Sequence, residues 1–274
     1  MNPTQRLCSL NNVGVAATAG CLAMICATIA ATFCATSLFA EPPQAEPSQD
    51  LPSSYAPAAD LSAQLEELRE HLQTDLADPS EYGEYQQQRI VMDANTLAAL
   101  VLVLGKHDQA NTIKDRGNAA QIITAARELA RAAKSHEAAK QAMAIFEAQL
   151  AKRGDGQALE WKTSADIAQL MKQVPIANNN LRRGVEGRRF DRLADKNAGY
   201  AALLAAMAQA SSVDTSYCAD EADEQTWRKY CDELRDAASL VRKSVREGDQ
   251  KQAVEALGAV ARSCDSCHEA FGVK

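Results

Sequence analysis

The sequence has few of the residues that build β-strands. Aromatic residues make up 5% of the 274 residues, and β-branched residues are sparse. Ala, Leu, Glu, Lys, Arg and Gln dominate instead, and these residues favour helices. No segment shows a convincing alternation of apolar and polar residues. We therefore expect an all-α protein, with a chain long enough for one or two domains.

The chain also lacks a net positive charge, because its formal net charge is −7. Without residues 1–40, which hold Arg6 as their one charged side chain, 28 of the 29 basic residues face 36 acidic ones, a net charge of −8. This charge argues against nucleic acid as a partner. A catalytic triad, a phosphate loop and paired carboxylates near the last helix are also missing from the sequence, and we predict that the protein is not an enzyme.

The first 40 residues are typical of an export signal. An apolar stretch runs from Val13 to Ala40 and ends in "CATSLFA", which predicts cleavage after Ala40. The stretch exceeds a usual signal core of about 7–15 residues, and its length leaves open a retained membrane anchor through residues 13–40. Either form predicts a periplasmic or otherwise exported protein. Residues 41–60, rich in Pro and Ser, are predicted to be a linker.

Residues 61–158 are predicted to be a helical region of unknown role. Five leucines recur at spacings of three and four, which marks one face of a helix: Leu61, Leu65, Leu68, Leu72 and Leu76. Three more helices are expected at about 88–106, 118–134 and 136–152. Ser135 is the predicted N-cap of the last of these.

Residues 160–274 are predicted to form a second unit of four helices. Their expected ranges are 163–183, with Ser164 as a plausible N-cap, then 189–210, 223–247 and 249 to the end. Short connections over about 112 residues favour a four-helix bundle that folds on its own.

The chain ends in "SCDSCHEAFGVK", which contains C-x-x-C-H, the attachment sequence of c-type haem. On a helix Cys264 and Cys267 share a face, so both thiols can bond the vinyl groups of one haem, and His268 can ligate its iron. We expect one haem c per chain. A structural zinc site usually has more Cys or His ligands close by, and a redox pair of thioredoxin type follows a strand. Two thiols that merely fill a core would leave His268 unexplained.

Three stretches resemble the class II cytochromes c, the cytochrome c′ and cytochrome c-556 group. They are "CDSCHEAF" at the end, "AQLMKQV" (168–174) and "QTWRKYCDEL" (225–234). The resemblance covers residues 160–274 and implies a four-helix bundle with haem on its last helix. The sequence departs from the group at Gly272, where a basic residue is common, at Pro175 within the first helix, and in having residues 61–158.

Met171 is the candidate distal iron ligand. It lies on the inward face of the predicted first helix, and the resemblance matches it to the methionine that ligates iron in six-coordinate members. Met207 on the second helix is a rival, and an open iron is the third alternative. Pro175 cannot donate a hydrogen bond to the carbonyl of Met171, which loosens the helix near this residue. Asn178, one turn further, is a candidate partner for a propionate or a bound ligand.

Two further features bear on the site. Cys218 and Cys231 are the only other cysteines after residue 40, and in an exported protein they are predicted to form a disulfide. The segment "LRRGVEGRRFDR" (181–192) holds five arginines. They are interpreted as partners of haem propionates, as a docking patch, or as a solvated connection.

These features predict an exported cytochrome that carries single electrons to and from redox partner proteins. A five-coordinate haem protein that binds a diatomic gas is the alternative. A third interpretation is an anchored helical module that holds a cytochrome near a partner. A homodimer is left open.

Overall fold

The computed structural model describes residues 51–154, 156 and 158–272. The predicted signal peptide or anchor at residues 1–40 lies outside the described residues. The described part of the chain contains helices and loops without strands, which confirms the all-α class. Its α-helices are α1 (Pro52–Tyr55), α2 (Ala58–Asp75), α3 (Glu84–Gly105), α4 (Thr112–Arg116), α5 (Ala119–Ala132), α6 (His136–Ala151), α7 (Ile167–Val185), α8 (Ala194–Ser211), α9 (Glu221–Glu247) and α10 (Gln250–Phe271), with a 3₁₀ turn at Asp191–Leu193.

Residues 51–60 are not a linker, in contrast to the prediction for 41–60. Pro52 starts α1, and Pro57 directly precedes α2. Proline suits a helix start, because its missing N–H would have no intrahelical partner there. Tyr55 and Ala56 are only 2% and 0% exposed, so this segment contributes to the core.

The leucine stripe of α2 is confirmed, since all five leucines are buried. The stripe packs on α3, in which every residue from Met92 to Leu104 is buried. Among the described residues α3 alone is long and apolar enough to cross a bilayer, and 78% of that apolar window is buried inside the protein. A helix that is apolar on all sides and covered by its neighbours is a central core helix.

Helix α8 is the second central helix, in which every residue from Asn197 to Ser211 is buried except the half-buried Tyr200. It packs not only on α7 and α9 but also on α2 and α3, and α3 packs on α7. Gly199 permits this close approach, because a Cβ there would lie 2.8 Å from Nε2 of Gln64 on α2. The described residues accordingly belong to one compact unit, and the predicted boundary near residue 159 lies within it.

The last four helices pack in sequence, α7 on α8, α8 on α9 and α9 on α10. Trp227 near the start of α9 donates from Nε1 to the carbonyl of Ser211 at the end of α8, at 2.9 Å. Ser263 near the end of α10 donates to the carbonyl of Tyr230, at 3.1 Å. Gly184 near the end of α7 lies against Asn197 near the start of α8. Each of these three neighbouring pairs is therefore antiparallel. The remaining pair, α10 and α7, meets less extensively than α10 and α9.

Two of the predicted caps can be compared with the structure. Ser135 caps α6 as predicted, accepting from the backbone N–H of Ala138 at 3.4 Å. Ser164 does not cap α7. Asp166 does so by accepting from Ala168 at 2.8 Å, while Ser164 is buried. The carboxylate is the stronger acceptor for a helix N-terminus, where the helix dipole favours negative charge.

Candidate functional site

The C-x-x-C-H motif lies in the last two turns of α10. Asp249 starts this helix by accepting from the N–H of Gln252 at 2.9 Å. Gly248 before it ends α9 with a φ of 75°, and Gly272 ends α10 with a φ of 65°. Both glycines adopt the left-handed conformation that other residues rarely take. The motif therefore sits on a helix with a defined start and end.

The motif cysteines continue the inward face of α10, as predicted. Ala253, Leu257 and Val260 are fully buried, whereas Cys264 and Cys267 are half-buried against the core. The two thiols are three residues apart on one face, and both keep access to the outside. His268 is exposed beside them. A planar ligand at this end of α10 can therefore meet both thiols and the imidazole.

An aromatic cluster borders the motif. The ring of Trp227 on α9 meets that of Phe271 edge to face, with centroids 5.2 Å apart, and the ring of Tyr217 stacks on the same indole with centroids 6.2 Å apart. The indole is 4% exposed and held by its hydrogen bond to Ser211. Edge-to-face and stacked contacts of this kind fix ring positions. The motif thus has a rigid apolar neighbour on the α9 side.

The four described cysteines gather near this aromatic cluster. Burial raises the pKa of Cys267 to about 11, and the nearby Cys264 and Cys218 add to the rise. Burial also raises the pKa of Cys231, and among the neighbouring groups Cys267 adds most to that rise. All four are free thiols in the structure. The disulfide between Cys218 and Cys231 stays a prediction, and the two thiols lie in the same neighbourhood.

Met171 on α7 and Cys264 on α10 are equally many residues away from a contact that joins the two helices. Gln250 at the start of α10 donates from Nε2 to the carbonyl of Val185 at the end of α7, at 2.7 Å. Met171 is 14 residues before Val185 (185 − 171), and Cys264 is 14 residues after Gln250 (264 − 250). With a rise of about 1.5 Å per residue, both lie about 21 Å from that contact along antiparallel helices.

Met171 is half-buried and packs against the core. Asn178 lies two turns further along the same face of α7, and its Oδ1 is buried without a hydrogen-bond partner. Pro175 lies between them, and α7 continues through it without an interruption. Met207, the rival ligand, is 1% exposed and enclosed within α8. Of the two methionines, Met171 therefore has the more accessible sulfur.

The five arginines of residues 181–192 lie at the end of α7 and in the connection that follows it. Gln250 binds the carbonyls of Val185 and Gly187, so this segment adjoins the start of α10, about 21 Å along the helix from Cys264. All five side chains are exposed, namely Arg182, Arg183, Arg188, Arg189 and Arg192. This distance removes support from the interpretation that they neutralise the propionates of a haem bound at the motif.

Two buried polar features were not found by sequence reasoning. His107, in the polar segment that follows α3, is 0% exposed, and its Nε2 lies 2.8 Å from the carbonyl oxygen of Ala56. Asp93 on α3 is 2% exposed and faces a cavity between α2, α3, α7 and α8. Asp93 directly precedes the long apolar run of α3, and this position in the sequence could have indicated that the carboxyl group is buried.

Comparison of the chain with known protein families, with curated proteins and with solved structures found no match. The resemblance to class II cytochromes c therefore rests on the three quoted stretches and on the arrangement of their residues.

Proposed function

We propose that the protein is an exported monohaem c-type cytochrome that carries single electrons between redox partner proteins. The observation that carries the proposal is the half-buried pair Cys264 and Cys267 on one face of α10, with His268 exposed beside it and Met171 on α7 equally many residues from the contact that joins the two helices. Haem bound there supplies an iron that cycles between its ferric and ferrous states.

The residues of the site fit such a group. The thiols of Cys264 and Cys267 are reachable and would form the two thioether bonds, and the imidazole of His268 is free to turn toward an iron. The thioether of Met171 would supply the distal ligand and raise the potential. Phe271, four residues after Cys267 on the same helix, packs against Trp227 and would shield that side of a bound haem from water. The less extensive contact between α7 and α10 is the seam of the bundle that would admit the ring.

A zinc site explains the same cysteines less well. Structural zinc needs four ligands in tetrahedral contact, usually cysteines and histidines. Among the described residues there is no group of three or more His, Cys, Asp or Glu placed to hold a metal ion. A haem iron needs only one protein nitrogen and one distal ligand, so His268 with Met171 is sufficient.

Gas binding is the second candidate function. The observation that favours it is the position of Pro175 one turn after Met171, because the carbonyl of Met171 then lacks its helical N–H partner. The missing hydrogen bond at this point would let Met171 move away from the iron and leave a distal site for a diatomic gas. The same protein fold can therefore serve either role, and the coordination of the iron decides between them.

Optical spectroscopy of the holoprotein and of Met171→Ala tests the proposal. If Met171 ligates, the wild-type ferric protein is low-spin with the weak sulfur-to-iron band in the near infrared. The variant then loses the band, has a lower potential and binds carbon monoxide in the ferrous state. Met207→Ala is the matched control, because it truncates a buried methionine, costs about 2–5 kcal/mol of stability and leaves the spectrum unchanged. A high-spin wild-type protein that already binds carbon monoxide contradicts electron transfer and supports gas binding.

A further inference from the structure

A cavity of about 760 Å³ lies between α2, α3, α7 and α8, where the two predicted regions of the chain meet. Its volume is in the range of about 300–1,000 Å³ that is usual for sites of small ligands. Leu68, Ile176 and Leu203 give it apolar walls, and Tyr85 and Tyr200 add aromatic ones. The cavity is thus large enough for a small organic molecule, and its walls suit an apolar body.

Asp93 on α3 is an unsatisfied acceptor in this cavity. Its side chain is 3% exposed, and its Oδ2 has no hydrogen-bond partner. The Nδ1 of His71 lies 3.8 Å from that oxygen, which is too far for a hydrogen bond. A buried carboxylate oxygen without a partner is costly, and such atoms usually indicate a missing ligand or water.

A second buried acceptor without a partner lies on α7, another of the helices that line the cavity. Gln173 on α7 is 6% exposed, and its Oε1 also lacks a hydrogen-bond partner. The carboxylate of Glu67, which also lines the cavity, already has hydrogen-bond partners. It accepts from Gln64 at 2.8 Å and from Tyr200 at 3.0 Å. The two buried lining side chains that lack a partner therefore both offer acceptors, from two different helices, while Lys134 and Lys172 line the cavity as exposed side chains.

We propose that this cavity binds a small organic ammonium compound with an apolar body. An ammonium group has three N–H donors and no acceptor, which matches the oxygens of Asp93 and Gln173. Its charge would pair with the carboxylate of Asp93, and its apolar part would lie against Leu68 and Ile176. An anion would gain no hydrogen bond from these two buried oxygens. This site is independent of the haem proposed for α10.

Isothermal titration of the exported holoprotein with 2-phenylethylamine at neutral pH tests the site, and 2-phenylethanol is the neutral probe of the same shape. We expect saturable binding of one amine per chain. The alcohol should bind at least about tenfold more weakly, because a hydrogen bond to a charged group contributes about 1.5–3 kcal/mol. This comparison uses the wild-type protein alone and does not depend on the folding of a variant.

Variants then assign the binding to its residues. Asp93→Asn should weaken amine binding at least about tenfold, and Gln173→Met should weaken it by a smaller factor. Glu84→Gln, which removes an exposed carboxylate at the rim of the same cavity, should leave the affinity unchanged. The proposal is overturned if the amine does not saturate, if the alcohol binds equally well, or if Glu84→Gln costs as much affinity as Asp93→Asn.

Discussion

Replacing Asp93 by Asn is expected to stabilise the protein at neutral and alkaline pH. Burial raises the pKa of Asp93 from 3.8 to about 7, and the neighbouring Asp75 adds to the rise while Arg89 opposes it. A carboxylate whose pKa is higher in the folded state than in the unfolded state binds its proton more tightly in the folded state. Its contribution to stability is therefore fully present below about pH 4 and is lost as the pH rises through about 7.

The size of this effect follows from the shift. The pKa rises by about 3 units, and each unit corresponds to 1.36 kcal/mol, so the loss between pH 4 and pH 8 is on the order of 4 kcal/mol. Asn is neutral throughout this range and does not show the loss. The free energy of unfolding of Asp93→Asn should therefore exceed that of wild type increasingly from pH 5 to pH 8, up to about this amount.

Urea denaturation between pH 4.5 and 8.5, in buffers that contain no amine, measures the effect. Wild type, Asp93→Asn and the control Glu84→Gln are compared at each pH. The control replaces an exposed carboxylate and should follow wild type within about 0.5 kcal/mol. A difference between Asp93→Asn and wild type that stays constant with pH refutes the reasoning, because Asp93 would then not hold a proton more tightly in the folded state.

Two further predictions concern the disulfide and the domain boundary. Non-reducing peptide mapping of exported protein should find Cys218 linked to Cys231, and labelling of both as free thiols would count against the pairing. In contrast to the expectation from the sequence, fragment 160–274, expressed and exported alone, should fail to fold or acquire haem. The reason is that α8 would lose the cover of α2 and α3. A stable, haem-loaded fragment with a cooperative thermal transition would show that the cover is dispensable.

Local patterns predicted most of the helices. The leucine spacing of α2 and the serine before α6 are local features, and the structure confirms both. Residues 51–60 were misjudged because their prolines were interpreted as signs of a linker, although proline also starts helices. The packing of α8 on α2 and α3 could not be predicted, because periodicity reveals that a face is apolar and not which helix covers it.

In the candidate site, too, local features could be predicted from the sequence, whereas contacts between distant parts of the chain could not. The spacing of the motif alone predicts that Cys264 and Cys267 share one face of a helix. The matching positions of Met171 and Cys264 depend on the contact of Gln250 with Val185, which joins distant parts of the chain. The cavity at Asp93 also needs four helices to form, and no short stretch of sequence encodes it.

The most direct test of the central claim is the intact mass of the protein expressed with a cytochrome c maturation system. The account predicts a chain that carries one covalent haem, bound through Cys264 and Cys267, and an adduct that survives extraction with acid–acetone. A chain of apo mass under the same conditions, alongside a control cytochrome that is loaded normally, would contradict the account.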